Sequence, residues 1–189
     1  MEVAFAKRAV NQDAHCGDEC TSWRRDGRTI LFIGDGLGHG KPAELAVQGA
    51  VNYVAQHLLE PLHKLFRGCN EALQSTRGAA IGIAVIDEES GVLTYAGVGN
   101  TRALIVKEEV VQLSSTRGIV GGAFKKFTPI QLSLLPGHLV IMYTDGLPEV
   151  FDVFKYGRIL TESAQHLAQQ ILRDWGSAKD DAAVLIYRF

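Results

Sequence analysis

Cysteine is scarce in this 189-residue chain, occurring only at Cys16, Cys20 and Cys69. Three scattered thiols cannot build a disulfide framework. Cys16 and Cys20 have the proximity of half a zinc site, yet no second Cys/His pair follows at a suitable spacing, so reduced thiols are expected. Long apolar runs are missing too: none approaches the ~18 residues of a membrane span. The N-terminal Met1-Glu-Val-Ala-Phe-Ala-Lys-Arg lacks a signal-peptide core, and a cytoplasmic location is expected. Nor is there an excess of one charge. Nineteen basic residues face 21 acidic ones, which argues against a nucleic-acid surface. With no linker, internal repeat or low-complexity stretch, residues 1–189 read as one domain, long enough to bury a sizeable core.

What the sequence does have is glycine concentrated in one place. Ile30 to Ile33 form an apolar run, and four of the seven residues from Gly34 to Gly40 are glycine. A packed element disfavours that density, whereas a turn with positive φ or a close backbone approach requires it. Asp35 therefore sits at the end of a rigid strand, next to the unobstructed carbonyl of Gly36. A carboxylate beside a bare carbonyl offers hard oxygen ligands suited to Mg or Mn.

The hydrophobic periods predict a strand over Glu2 to Val10. A hairpin follows, Thr21–Arg25 with Arg28–Ile33, turning at Asp26-Gly27. A helix is expected from Ala43 to Glu60, with Leu45, Val51, Val54, Leu58 and Leu59 on its apolar face, and a second from Leu62 to Gln74. Strands are expected at Ala79–Ile86, Val92–Val98, Ala103–Val106, Val110–Leu113, Phe127–Leu134, His138–Tyr143 and Ala182–Phe189. Thr161 can cap a last helix that carries Leu167 and Ile171 and closes at Gly176. Several strands are apolar on both faces although their connections are hairpins. The economical architecture is α+β: a four-layer α-β-β-α sandwich of two mostly antiparallel sheets, packed face to face and flanked by helices.

Aspartates recur at strand ends. Asp18 precedes the first hairpin, Asp145-Gly146 repeats the strand–Asp–Gly pattern of Asp35, and Asp180-Asp181 precede the closing strand. A single Asp-Gly is an ordinary turn dipeptide. Four acidic positions, three of them against strongly apolar strands, are harder to explain as turns, because converging carboxylates repel unless cations sit between them. A two-metal centre for phosphate ester hydrolysis accounts for them without a protein nucleophile. Two near misses are excluded: Gly36, Gly38 and Gly40 are not a dinucleotide fingerprint, because position 39 is His and the spacing is wrong, and Gly40-Lys41 is not a phosphate loop, because Pro42 follows it and Asp35 stands where glycine is needed.

The strings Gly34-Asp-Gly-Leu-Gly-His-Gly40, Ala96-Gly-Val-Gly-Asn-Thr-Arg102, Thr144-Asp-Gly146 and Lys179-Asp-Asp-Ala-Ala-Val184 resemble, in this order, the PPM (type 2C) protein serine/threonine phosphatases. Within them they are most similar to the bacterial SpoIIE/RsbU/RsbX class. The resemblance implies the same two-sheet fold and a water bridged between two divalent ions, Mn or Mg, that attacks phosphoserine or phosphothreonine. It implies phosphorylated STAS-domain stressosome proteins, scaffold or antagonist, as partners. By position, Asp35 would bridge the metals as the catalytic ligand, with Gly36 and Asp18 completing one metal site and Asp145 and Asp180 the other. Asp181 would cap a turn.

Leu37 and Gly38 separate His39 from the Asp-Gly pair it follows directly in many members, which leaves its role open between proton donor and structural residue. Val10 to Gly17 contain no arginine, so a phosphate-gripping Arg is missing there. Asn100 and Arg102 are expected to stabilise a turn, and His15, His57, His63, His138 and His166 have no motif support. The alternatives are a catalytically silent phosphatase-like binding module, a hydrolase of small phosphoesters, and a phosphatase of an anti-sigma-factor antagonist.

Overall fold

The structure, a computed structural model, describes residues 1–158, 160 and 163–189. Among the described residues, ten strands form two five-stranded sheets. Strands β1 (Glu2–Arg8), β6 (Arg102–Val106), β7 (Val110–Leu113), β9 (Leu139–Tyr143) and β10 (Ala182–Arg188) make one, in the order β1-β10-β9-β6-β7. Strands β2 (Asp18–Arg25), β3 (Arg28–Gly36), β4 (Ala79–Asp87), β5 (Val92–Val98) and β8 (Ile130–Ser133) make the other, in numerical order. Every pair of these strands is antiparallel, and hairpin turns join β2 to β3, β4 to β5 and β6 to β7. Helices α1 (Lys41–Gln56) and α2 (Leu62–Ala72) cover the second sheet, and α3 (Ala164–Trp175) covers the first.

The two-residue period of each strand sorts its side chains into three apolar layers. In β3, Ile30 and Phe32 face α1 and α2, while Leu31 and Ile33 face the other sheet. In β9, Ile141 and Tyr143 meet α3, while Val140 and Met142 point inward; β10 divides likewise between Val184 and Leu185. Strands apolar on both faces are thus explained: each is a middle layer.

Two sequence expectations are corrected. Helix α1 ends at Gln56, so that Leu58 and Leu59 lie beyond it, and Leu45 and Leu59, expected on its apolar face, are 58% and 51% exposed. The buried stripe is the smaller set Ala43, Ala46, Val47, Ala50 and Val54. Strand β3 explains this, because a Cβ on Gly36 would lie 2.1 Å from the Ala43 carbonyl oxygen. The helix rests on bare glycine backbone, and bulk on that face would lift it away. The second correction concerns α3. Its N-cap is Ser163, whose side chain accepts from the His166 N–H; the expected cap, Thr161, lies outside the described residues. The Asp26-Gly27 turn forms as anticipated, with both residues at positive φ (50° and 71°).

Candidate metal centre

The same period that builds the inter-sheet layer decides what closes its end. Continuing β3 by two residues from Ile33 puts Asp35 on the inward face, and Asp18 stands opposite it in register. Continuing β9 from Met142 puts Thr144 inward, and stepping back from Ala183 in β10 does the same for Asp181. Both sheets therefore end in polar residues at one edge. Asp145 and Asp180 follow in the adjoining turns.

Burial falls across this group. Asp18 is 2% exposed, Asp35 is half-buried, and Asp145 and Asp180 are exposed. None of the four has an ion-pair partner among the described residues. Burial first, and then the Asp145 and Asp180 charges, push the Asp35 carboxyl up to about 8. Burial and the neighbouring Asp35 charge likewise raise Asp18, against a hydrogen bond from Thr144. Asp180 is raised by burial and by Asp145, with the nearby His39 imidazole acting in the opposite direction. The carboxylates expected from the sequence thus stand close enough to feel one another's charge.

Two residues not assigned to the site by sequence hold these carboxylates in place. The Thr144 hydroxyl is fully buried and accepts the Ala183 N–H at 2.9 Å, so its proton is directed to Asp18 Oδ2 at 2.5 Å. One hydroxyl thereby ties β2 of one sheet to β10 of the other. Asn100, expected only to stabilise a turn, instead donates its amide to Asp145 Oδ2 at 2.6 Å and lies close enough to Asp35 to oppose the upward push on its carboxyl. Its position within Gly97-Val-Gly-Asn-Thr-Arg102 was the available signal; for Thr144 it was adjacency to Asp145.

Asp181 has a different task. Its two oxygens accept the backbone N–H groups of Val10 and Gly17, each at 2.7 Å, pinning the segment that leads into Asp18. The histidines without motif support have local partners where bonds are seen. His15 Nδ1 lies 2.7 Å from Glu44 Oε2, and His57 Nδ1 lies 2.7 Å from the Tyr53 carbonyl. All three cysteines are free thiols.

The donor set is all oxygen, which suits Mg or Mn and excludes a structural zinc site of Cys and His. Among the described residues, no three His, Cys, Asp or Glu side chains form a ready-made cage around one point. A hard cation there would draw remaining ligands from backbone carbonyl and water, the coordination Mg favours. The residues fit such ions chemically: the carboxylates converge, their charge is uncompensated, and they open to solvent on one side.

Known proteins share this family and fold. The family model described as Stage II sporulation protein E (SpoIIE) matches residues 25–189. The phosphoserine phosphatase RsbX of Bacillus subtilis (strain 168) is 26% identical over 175 residues, covering 90% of this chain and 86% of that protein. A chain solved in the context of the bacterial stressosome superposes with a TM-score of 0.92 at 29% identity, over 99% of this chain and 98% of its own. RsbX in complex with magnesium has the same fold, with a TM-score of 0.84 at 24% identity, over 97% and 92% of the two chains. With its motifs, its paired antiparallel sheets and its acidic edge accounted for, the chain belongs to the SpoIIE family and is a PPM-type serine/threonine phosphatase domain.

Proposed function

We propose that this chain, as one domain over residues 1–189, removes phosphate from phosphoserine or phosphothreonine of proteins, at a centre that takes two divalent ions, Mg or Mn. Asp35 would serve both ions, Asp18 and the Gly36 carbonyl would hold one, and Asp145 and Asp180 would hold the other. One observation carries the reading: acidic groups from four chain segments meet without a compensating cation, and Asp35 among them is pushed up to about 8. Divalent ions bound there supply Lewis acidity toward the phosphoryl group and lower the pKa of water toward neutrality.

The chain's own residues do the rest. Thr144 orients one oxygen of Asp18, and Asn100 holds one oxygen of Asp145. The inter-sheet layer behind them keeps water from the deep side of the centre. Val10 to Gly17 contain no arginine, so phosphate binding rests on the ions and selectivity on surfaces beyond them.

The relation to RsbX and the stressosome neighbour support phosphorylated STAS-domain proteins of the stressosome, scaffold or antagonist, as substrates in bacterial stress signalling. A cytoplasmic location follows from that reading; among the described residues no helix is long and apolar enough to cross a membrane. The test is phosphate release from phosphorylated scaffold and antagonist proteins, and from p-nitrophenyl phosphate, with and without Mn. Release that requires the metal, stops with EDTA and is lost in Asp35→Asn supports the proposal; release indifferent to chelation refutes it.

A further inference from the structure

A second polar feature adjoins the acidic edge. A cleft of about 410 Å³ opens where β6 and β7 meet the turn after β9, lined by Arg102, Gln112, Ser114, Ser115, Tyr143 and Glu149 among others. Its lining residues are chain neighbours of the acidic edge. Asn100 lies in sequence between the lining residues Gly99 and Thr101, and Asp145 lies between Tyr143 and Glu149. Arg102 stands opposite Tyr143 in the β6–β9 register, and two residues beyond them toward the acidic edge Asn100 donates to Asp145 at 2.6 Å.

Arg102 is incompletely used in this cleft. Its Nη1 lies 3.3 Å from Glu149 Oε1, but its Nε is buried and has no hydrogen-bond partner. A guanidinium carries five donors in a planar fork matched to a carboxylate, and a buried donor left unmade is unfavourable. Glu149 is a loose partner, since its side chain is 70% exposed and ion pairs with such groups are weak. Its backbone is fixed, because the Tyr143 hydroxyl donates to the Glu149 carbonyl at 2.9 Å. Only the Glu149 side chain must swing away for another carboxylate to take its place. Exposed Gln112 and Ser114 add donors on the rim, whereas a basic side chain would meet Arg102.

We infer that this cleft is a subsite for an acidic side chain of the phosphoprotein, one or two residues from the phosphorylated position, with Arg102 exchanging Glu149 for the incoming carboxylate. The inference rests on the phosphatase reading above. It supplies selectivity that the ions alone lack. An extended chain advances about 3.3–3.6 Å per residue, so a phosphoryl group at the centre leaves a near neighbour within reach of this cleft.

The test compares two labelled peptides carrying a non-hydrolysable phosphonate analogue of phosphoserine, one with Glu and one with Gln two residues away. Fluorescence anisotropy is read in the presence of Mg. The wild-type chain is expected to bind the Glu peptide about tenfold more tightly. Arg102→Ala brings the ratio close to one, Arg102→Lys retains part of it, and Glu149→Gln widens it by removing the competitor. Equal binding by the wild type, or a ratio untouched by these substitutions, overturns the inference. Should Arg102→Ala fail to fold by circular dichroism, the Arg102→Lys and Glu149→Gln ratios decide. Phosphate release by the wild type from the matching phosphoserine peptides reports separately on the phosphatase reading, since the anisotropy ratio is readable whether or not turnover occurs.

Discussion

Strand β3 carries an Asp-Gly pair at each end, and the two have little in common beyond their letters. At the first, Asp26 and Gly27 adopt positive φ in a tight hairpin turn; Asp26 is exposed, and a Cβ on Gly27 would meet nothing within 4 Å. At the second, Asp35 continues the strand, half-buried, on the face toward the other sheet. Gly36 is pressed against the backbone of α1, where a Cβ would lie 2.1 Å from the Ala43 oxygen. The dipeptide at the first end satisfies a backbone conformation. At the second it positions an oxygen donor and lets a helix approach. What separates them is context: eight residues of strand bring Asp35 to the edge where Asp18, Asp145 and Asp180 also arrive.

The largest expected break in this comparison comes from removing the charge at each end. Asp35→Asn should lower Mn-dependent phosphate release by well over the ~100-fold that loss of an outer partner costs a metal site. Asp26→Asn should stay within twofold, measured side by side on p-nitrophenyl phosphate. Next is the glycine. Gly36→Ala forces the helix off the strand and should destabilise the fold by at least about 3 kcal/mol. Gly27→Ala pays only for a left-handed alanine, about 1–2 kcal/mol. Thermal melts should separate the two variants clearly.

Smaller effects sharpen the contrast. Thr144→Val keeps shape but leaves Asp18 without its donor, so Mn affinity by calorimetry should fall about 10–100-fold, with Thr144→Ser restoring most of it. The smallest is a pH effect. The folded Asp35 carboxyl, at about 8, titrates above the ~3.9 of an unfolded aspartate. Between these values the folded metal-free protein keeps a proton that the unfolded chain has released. Its contribution to stability is therefore complete below about pH 4 and lost as pH rises through 8. Melting temperatures of the metal-free wild type should fall relative to Asp35→Asn across that window, and Mg should suppress the difference.

Much of this was legible in the sequence, because patterns of period two survive folding. Runs apolar on both faces, joined by hairpin turns, can only be middle layers, and the sandwich followed. The convergence of aspartates at strand ends was legible for the same reason. What escaped depended on partners distant in the chain. Nothing local tells Asn100 that Asp145 and Asp35 will stand beside it, or Thr144 that its hydroxyl will face Asp18. The face of α1 was misread because large side chains normally mark burial. Here Gly36 and Gly34 of the strand beneath the helix admit Ala43 and Val47, and Leu45 is left in solvent.

The central claim is that carboxylates from both sheets jointly hold divalent cations. Its most direct measurement is calorimetric titration of the metal-free protein with Mn, carried out for the wild type, Asp35→Asn and Asp145→Asn. The account predicts saturable binding in the wild type that is abolished by Asp35→Asn and strongly weakened by Asp145→Asn, with both variants folded. A folded wild type that takes up no Mn, or variants that bind it as the wild type does, would contradict it.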